Sequence, residues 1–216
     1  MSPRKSVLET AATRTRILDL ALETATSTGL EALTIGTLAA ELGMSKAGVI
    51  GHFGTKETLQ VAVVETAVER FRQRVTTRAA DAAPGTERLL RAHTEWFAFM
   101  TEKHAGCFLT AAASEFDARP GPVRDAILGA LAAWSGYVRA ELETATASGA
   151  LPRGTDLDQL AFDLTGAVLA TDQAIRVHGD PRAPARGLRA LARLLGGGPA
   201  PRSQDLGHPD VLDAGL

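Results

Sequence analysis

The sequence predicts an all-α protein: a small N-terminal part of three helices, then a larger C-terminal helical part, about nine helices in all. Three observations carry this. No stretch alternates apolar and polar residues at the period of a strand. Apolar residues recur every three to four positions in one segment after another. Between Thr34 and Leu59, two short helical patterns meet at a single glycine, Gly43, and a third begins after Phe53.

The elements follow in order. Met1 to about Thr10 lacks an apolar period and reads as a flexible arm, either a plain terminus or one reaching phosphate or minor groove. Helix one runs from about Ala12 to Thr28, burying Ile17, Leu20, Ala21 and Ala25, and Gly29 ends it. Helix two opens at the cap candidate Thr34 and buries Ile35, Leu38, Ala39 and Leu42. Gly43 can take the left-handed conformation that stops a helix, and Ser45 can cap a short third one. Thr55 caps helix four, with Glu57 in its first turn, and the rod continues to about Arg78.

A loop from Ala79 to Thr86 carries Pro84-Gly85, and helix five follows from about Glu87 to Lys103. Gly106 separates it from helix six, which carries Cys107, Phe108 and Phe116. The stop Arg119-Pro120-Gly121-Pro122 leads into helix seven, from Pro122 to about Ser148. Asp156 starts helix eight, which ends near Val177 before Gly179-Asp180-Pro181. Helix nine spans about Pro184 to Leu195, and the Gly, Pro and Asp beyond it read as a disordered tail. These breaks divide the chain into residues 1–55, 56–196 and a tail, 197–216.

Composition narrows the class. The 216 residues are 45% hydrophobic, yet no run of eighteen apolar residues exists, so no membrane span is expected. Met1-Ser2-Pro3-Arg4-Lys5 is not followed by an apolar run, so no secretory signal is expected either. A single cysteine, Cys107, excludes an internal disulfide and suits a reducing cytoplasm. The net charge of −2 gives no global basic surface. The basic signal is local: Arg4, Lys5, Arg14 and Arg16 face only Glu9, while Lys46 and Lys56 bracket helix three.

Helix, tight glycine turn, helix is the helix-turn-helix pattern, whose second helix enters the DNA major groove with its N-terminal residues toward base edges. Here those residues are Ser45, Lys46, Ala47 and Val49. Thr34, Ser45 and His52 can donate to phosphate oxygens, and for the first two this can coexist with capping. Lys56 and the free N–H groups of helix four form an anion site. One short helix reads too few base pairs, so a two-fold pair on double-stranded operator DNA is expected.

The stretch resembles the DNA-binding domain of the TetR/AcrR family of bacterial transcriptional regulators. The resemblance rests on Arg16-Ile17-Leu18, Gly29, Leu33-Thr34, Leu38-Ala39, Leu42-Gly43-Met44-Ser45-Lys46, Gly48-Val49, His52-Phe53 and Lys56-Glu57-Thr58-Leu59. The family pattern has an aromatic residue where this chain has Ile50, which cannot donate a hydrogen bond to phosphate. A looser similarity over Gly106-Cys107-Phe108, Ser114-Glu115-Phe116 and Arg119-Pro120-Gly121-Pro122-Val123 resembles an actinobacterial-type subgroup.

The resemblance implies a homodimer whose last two helices form a four-helix bundle with their copies, through Leu164, Ala167, Val168, Thr171, Ile175, Leu188, Leu191 and Leu195. It also implies an effector cavity on helices five to eight. His93, Trp96, Met100, Phe108, Trp134, Tyr137, Phe162 and Gln173 are its candidate lining, with core packing the plainer role for each aromatic. The function implied is a repressor released from a palindromic operator by an unknown small molecule.

No enzyme, cofactor or metal is expected. The five histidines are scattered, and His104 with Cys107 supplies too few ligands for zinc. Ser135 lacks a nucleophile-elbow frame, and Gly196-Gly197-Gly198 follows no strand. The rival class is a helical ligand-binding or interaction protein whose reading motif has degenerated, motivated by Ile50 and the weak basic charge.

Overall fold

The computed structural model describes residues 3–102 and 107–196. The described residues are helical throughout and include no strand. Their helices are α1 (Pro3–Thr28), α2 (Ile35–Glu41), α3 (Lys46–Phe53), α4 (Lys56–Phe71), α5 (Thr77–Ala79), α6 (Thr86–Thr101), α7 (Phe108–Glu115), α8 (Pro122–Ala147), α9 (Leu157–Arg176) and α10 (Ala183–Leu194). A π-helical segment, Arg72–Thr76, joins α4 to α5 without a break in helical backbone, so the expected fourth helix continues with one widened turn. No helix among the described residues is long and apolar enough to cross a membrane.

The chain packs as two compact units. The first holds the described residues up to Arg70 together with Cys107–Ala130; the second holds Phe71 to the end of α6 and Leu131 onward. This packing boundary differs from the division expected at residue 55. Helix α7 carries Phe108 and Ala112, and its C-cap Phe116, into the core formed by Ile17, Leu22, Leu38, Val49, Phe53 and Leu59. Val123 and Ile127 of α8 join them. Contacts this distant in sequence leave no trace in local periodicity.

The expected arm is instead helical: α1 begins at Pro3. Proline suits a first helical position, where its missing N–H is no loss. The residues after it tolerate a helix, but Val7 and Leu8 stay exposed, so no buried stripe announces the element. The tail expected at residues 197–216 lies outside the described residues.

In the second unit, α6 presents Leu89, Ala92, His93, Trp96, Phe97 and Met100 as a buried face. The preceding turn is pinned to α8: Gly85 N donates to Glu141 Oε2 at 2.6 Å, and Arg88 pairs with Glu141 Oε1 at 3.3 Å. Helix α10 lies against α9 and α6 at Gly187. A Cβ there would stand 2.3 Å from Thr171 Oγ1 and 2.7 Å from Phe97 Cε2, so only glycine permits this approach.

Candidate nucleic-acid interface

The site is built by two caps and one turn. Thr34 Oγ1 accepts from Thr37 N at 3.1 Å and starts α2. Gly43, at φ +65°, turns the chain where a Cβ would be strained. Ser45 Oγ accepts from Gly48 N at 3.0 Å and starts α3. Each cap satisfies a donor that has no partner within its helix.

Helix α3 is anchored by Val49 and Phe53, which point into the first unit's core. Val49 is 0% exposed, which corrects its assignment as a base contact: it holds the helix and touches no solvent. The exposed face consists of Ser45, Lys46, Ala47, Ile50 and Gly51. Ile50, three residues beyond Ala47 and four beyond Lys46, is 43% exposed and shares their face. Its helical spacing from Lys46 places it there, whereas the sequence reading weighs Ile50 only as a residue unable to donate to phosphate.

Lys46 lies across the start of α2. A Cβ on Gly36 would meet its Cε at 3.2 Å and its Nζ at 3.6 Å, with Thr34 Oγ1 at 3.8 Å from the same point. The ammonium and the threonine hydroxyl therefore converge over the first turn of α2. This convergence depends on the angle between two helices and is invisible in the sequence. His52 is partly exposed in the last turn of α3.

Lys56 differs from expectation. Its Nζ donates to Glu31 O at 2.6 Å and lies 3.7 Å from the Glu31 carboxylate. Its charge is partly met inside the molecule, by a carbonyl and a carboxylate. Glu31 is also paired with Arg119 at 3.2 Å and accepts from Gln60 Nε2 at 3.3 Å. The Gln60 hydrogen bond first, then the charges of Lys56 and Arg119, hold its carboxyl below the usual range against the opposing effect of burial. Glu115 of α7 closes the same loop, accepting from Leu30 N at 2.8 Å and Glu31 N at 3.0 Å. Arg14 stacks over the Phe53 ring at 5.1 Å.

The expected ligand-lining residues separate. His93, Trp96, Trp134 and Tyr137 gather in the second unit, joined by Phe71. Trp96 and Trp134 meet edge to face at 4.9 Å, and Phe71 stands edge-on to both at 5.0 and 5.3 Å. Met100 is buried in the same unit. Phe108 belongs to the first unit's core and does not join them. Phe162, 73% exposed, and Gln173 lie on the surface of the chain and do not join them.

His93 is buried, and its Nδ1 lies 2.7 Å from Leu89 O. A carbonyl only accepts, so Nδ1 carries the proton and donates. Burial pushes the imidazole pKa down to about 4, with the Leu89 bond opposing, so the ring is neutral at pH 7.

The expected dimer residues also need correction. Leu164, Val168, Thr171, Leu188, Leu191 and Leu195 are buried within the chain's own second unit, and Ala167 and Ile175 are partly so. Periodicity identified the apolar stripe but not which partner it meets. The other face of α9 exposes Phe162, Gly166, Leu169 and Gln173, with Val177 just beyond its end.

A capped helix, exposed along its N-terminal face and turned off its predecessor at a positive-φ glycine, defines a helix-turn-helix DNA-binding protein. Residues 17–63 match the family described as bacterial regulatory proteins, tetR family, and residues 85–191 match the tetracyclin repressor-like C-terminal domain. The chain belongs to the TetR family and is a DNA-binding transcriptional regulator. Its family and fold are those of regulators rather than of enzymes.

No curated protein sequence matches the chain. Solved structures with the same fold include a TetR regulator from Chloroflexus aurantiacus J-10-FL, 20% identical with a TM-score of 0.77, covering 87% of this chain and 94% of that one. AibR in complex with isovaleryl coenzyme A and operator DNA is 21% identical, with a TM-score of 0.68 over 86% and 99% of the two chains. A Saccharomonospora viridis regulator in complex with choline is 19% identical, with a TM-score of 0.75 over 89% and 100%. At these identities the likeness is one of fold.

Proposed function

We propose that this regulator is a homodimeric repressor that reads a palindromic operator and leaves it when a small molecule binds its C-terminal part. The observation that carries the reading is the α3 face: Ser45, Lys46, Ala47 and Ile50 are exposed on a helix whose opposite side is fixed by Val49 and Phe53. Ala47 and Ile50 meet base edges, where an aliphatic side chain suits the thymine methyl. Lys46 and Thr34 together clamp one phosphate, while Ser45, His52 and the N-terminus of α4 support the backbone contacts. Residues 1–55 act as the reading head, and residues 56–196 sense ligand and dimerise. The protein works where bacterial DNA lies, in the cytoplasm.

Pairing uses the exposed face of α9, Phe162, Leu169 and Val177 with the small Gly166 between them, rather than the leucines buried inside. The effector changes the spacing of the two heads so that they no longer fit successive grooves, which requires different affinities for the two arrangements. AibR, solved with both an acyl coenzyme A and operator DNA, is a relative in fold that engages both kinds of ligand. A mobility-shift titration of the full chain on its own upstream DNA tests the reading. Affinity over random duplex should be high and fall steeply with salt; equal affinity for both duplexes at low salt contradicts it.

A further inference from the structure

The aromatic cluster of the second unit contains two groups that the fold leaves unmet. Trp96 is 8% exposed and Tyr137 is partly buried, yet the Trp96 Nε1 and the Tyr137 hydroxyl oxygen have no hydrogen-bond partner among the described residues. An indole N–H can only donate, and leaving it dry and unpaired is costly. Buried polar groups are normally satisfied, so two orphans in one cluster require an explanation.

Their surroundings define what would satisfy them. Trp134 stacks on Tyr137 at 5.4 Å, and the His93 ring lies 6.1 Å from Trp96 and 5.5 Å from Trp134. The nearest charges are committed elsewhere: Arg88 holds Glu141 and the Ala82 carbonyl, and Glu141 also holds Gly85 N. Paired in this way, Arg88 offers no free charge to a carboxylate ligand. A cationic ligand could use the ring faces, but it would bring no acceptor for the indole N–H. A second, independent observation lies beside the cluster. Phe71, in contact with both tryptophans, immediately precedes the π-helical segment Arg72–Thr76, and such widened turns recur at functional sites.

We infer that this cluster recognises the effector, and that the effector is a small uncharged molecule with a flat apolar body and a carbonyl-type oxygen accepting from Trp96 Nε1 and the Tyr137 hydroxyl. The inference rests on the reading that the C-terminal part senses a ligand. Phe71 belongs to the cluster and opens the π turn, so a ligand wedged between the rings acts directly on the junction of α4 and α5.

Trp96 and Trp134 are the chain's two tryptophans, so the two indole N–H resonances of the full-length protein report on this cluster alone. Trp96→Phe assigns them. Acetophenone serves as the neutral probe, with benzoate and choline as the anionic and cationic ones. The expected result is a saturable downfield shift of the Trp96 indole signal with acetophenone. Benzoate and choline should bind about tenfold more weakly or worse. Tyr137→Phe deletes an orphan at unchanged ring size and should fold with unchanged or raised Tm, whereas Trp96→Phe also removes ring volume and should fold with a lowered Tm; both should bind acetophenone about tenfold more weakly. A Trp96 signal that does not saturate, equal binding of a charged probe, or undiminished binding by both variants overturns the inference. DNA binding without ligand is measured separately: its retention while acetophenone fails discards this inference alone, and its loss discards the repressor reading.

Discussion

Lys46, Val49 and Ile50 divide the work of one short helix. Their sequence neighbourhood announced that a reading helix exists but set Val49, which is buried, on its base-facing side. Val49 lies within the run assigned to base edges, yet helical geometry turns it inward, so Val49→Ala should destabilise the fold by about 1–3 kcal/mol in thermal or urea denaturation. A change within error would mean that Val49 is not an anchor. Ile50 and Lys46 are exposed, and the proposed reading places them on DNA. Lys46→Ala should weaken binding to all duplexes alike and reduce the slope of log affinity against log salt by about 1. Ile50→Ala should leave that slope unchanged and relax discrimination at one base pair, as read in a competition assay. The convergence of Lys46 with Thr34 was not legible, because the position of Gly36 between them is set by the α2–α3 angle.

The helices themselves were largely legible, because caps and glycines punctuate them. Asp156 shows why: its Oδ1 accepts from Asp158 N at 3.1 Å and Gln159 N at 3.0 Å, and α9 begins where the sequence places it. The π turn at Arg72–Thr76 was not, since one extra residue per turn shifts the apolar period too little to register. Close approaches within the chain were not legible either: nothing lies within 4 Å of a Cβ on Gly166, whereas Gly187 is the crowded position. Gly187→Ala should therefore destabilise the second unit by about 1–3 kcal/mol, and Gly166→Ala should not.

Helix α6 carries its own pH dependence. The unfolded chain protonates His93 near pH 6.5, but the folded chain resists until about 4, so the unfolded state binds more protons between those values. Stability from this group is intact above pH 6.5 and is lost as pH falls toward 4. Wild type should lose about 2 kcal/mol more than His93→Gln between pH 7 and pH 5, read from urea midpoints at each pH. Parallel pH profiles would contradict a buried neutral ring.

At the scale of the whole molecule, the all-α class and the family were legible because both rest on local patterns that recur along the chain. The packing boundary and the faces used for pairing were not. Phe108 and Phe116 sit far in sequence from Ile17 and Val49, yet share their core. The α9 leucines satisfy an apolar period whether they meet their own α10 or a second subunit. Exposure separates these roles and makes a prediction. Leu169→Lys should convert a dimer to a folded monomer in sedimentation, with helical content unchanged, whereas Leu191→Lys should disrupt the fold, because Leu191 is 0% exposed. A Leu169→Lys protein that remains dimeric would move the interface elsewhere.

The central claim is that paired α3 helices read a two-fold DNA site, and a selection of genomic fragments by the purified full-length chain tests it most directly. The account predicts enrichment of a palindrome whose half-sites lie about one DNA turn, roughly 34 Å, or a multiple of it apart. Recovered fragments with no shared motif, or a single half-site without a symmetric partner, would contradict it.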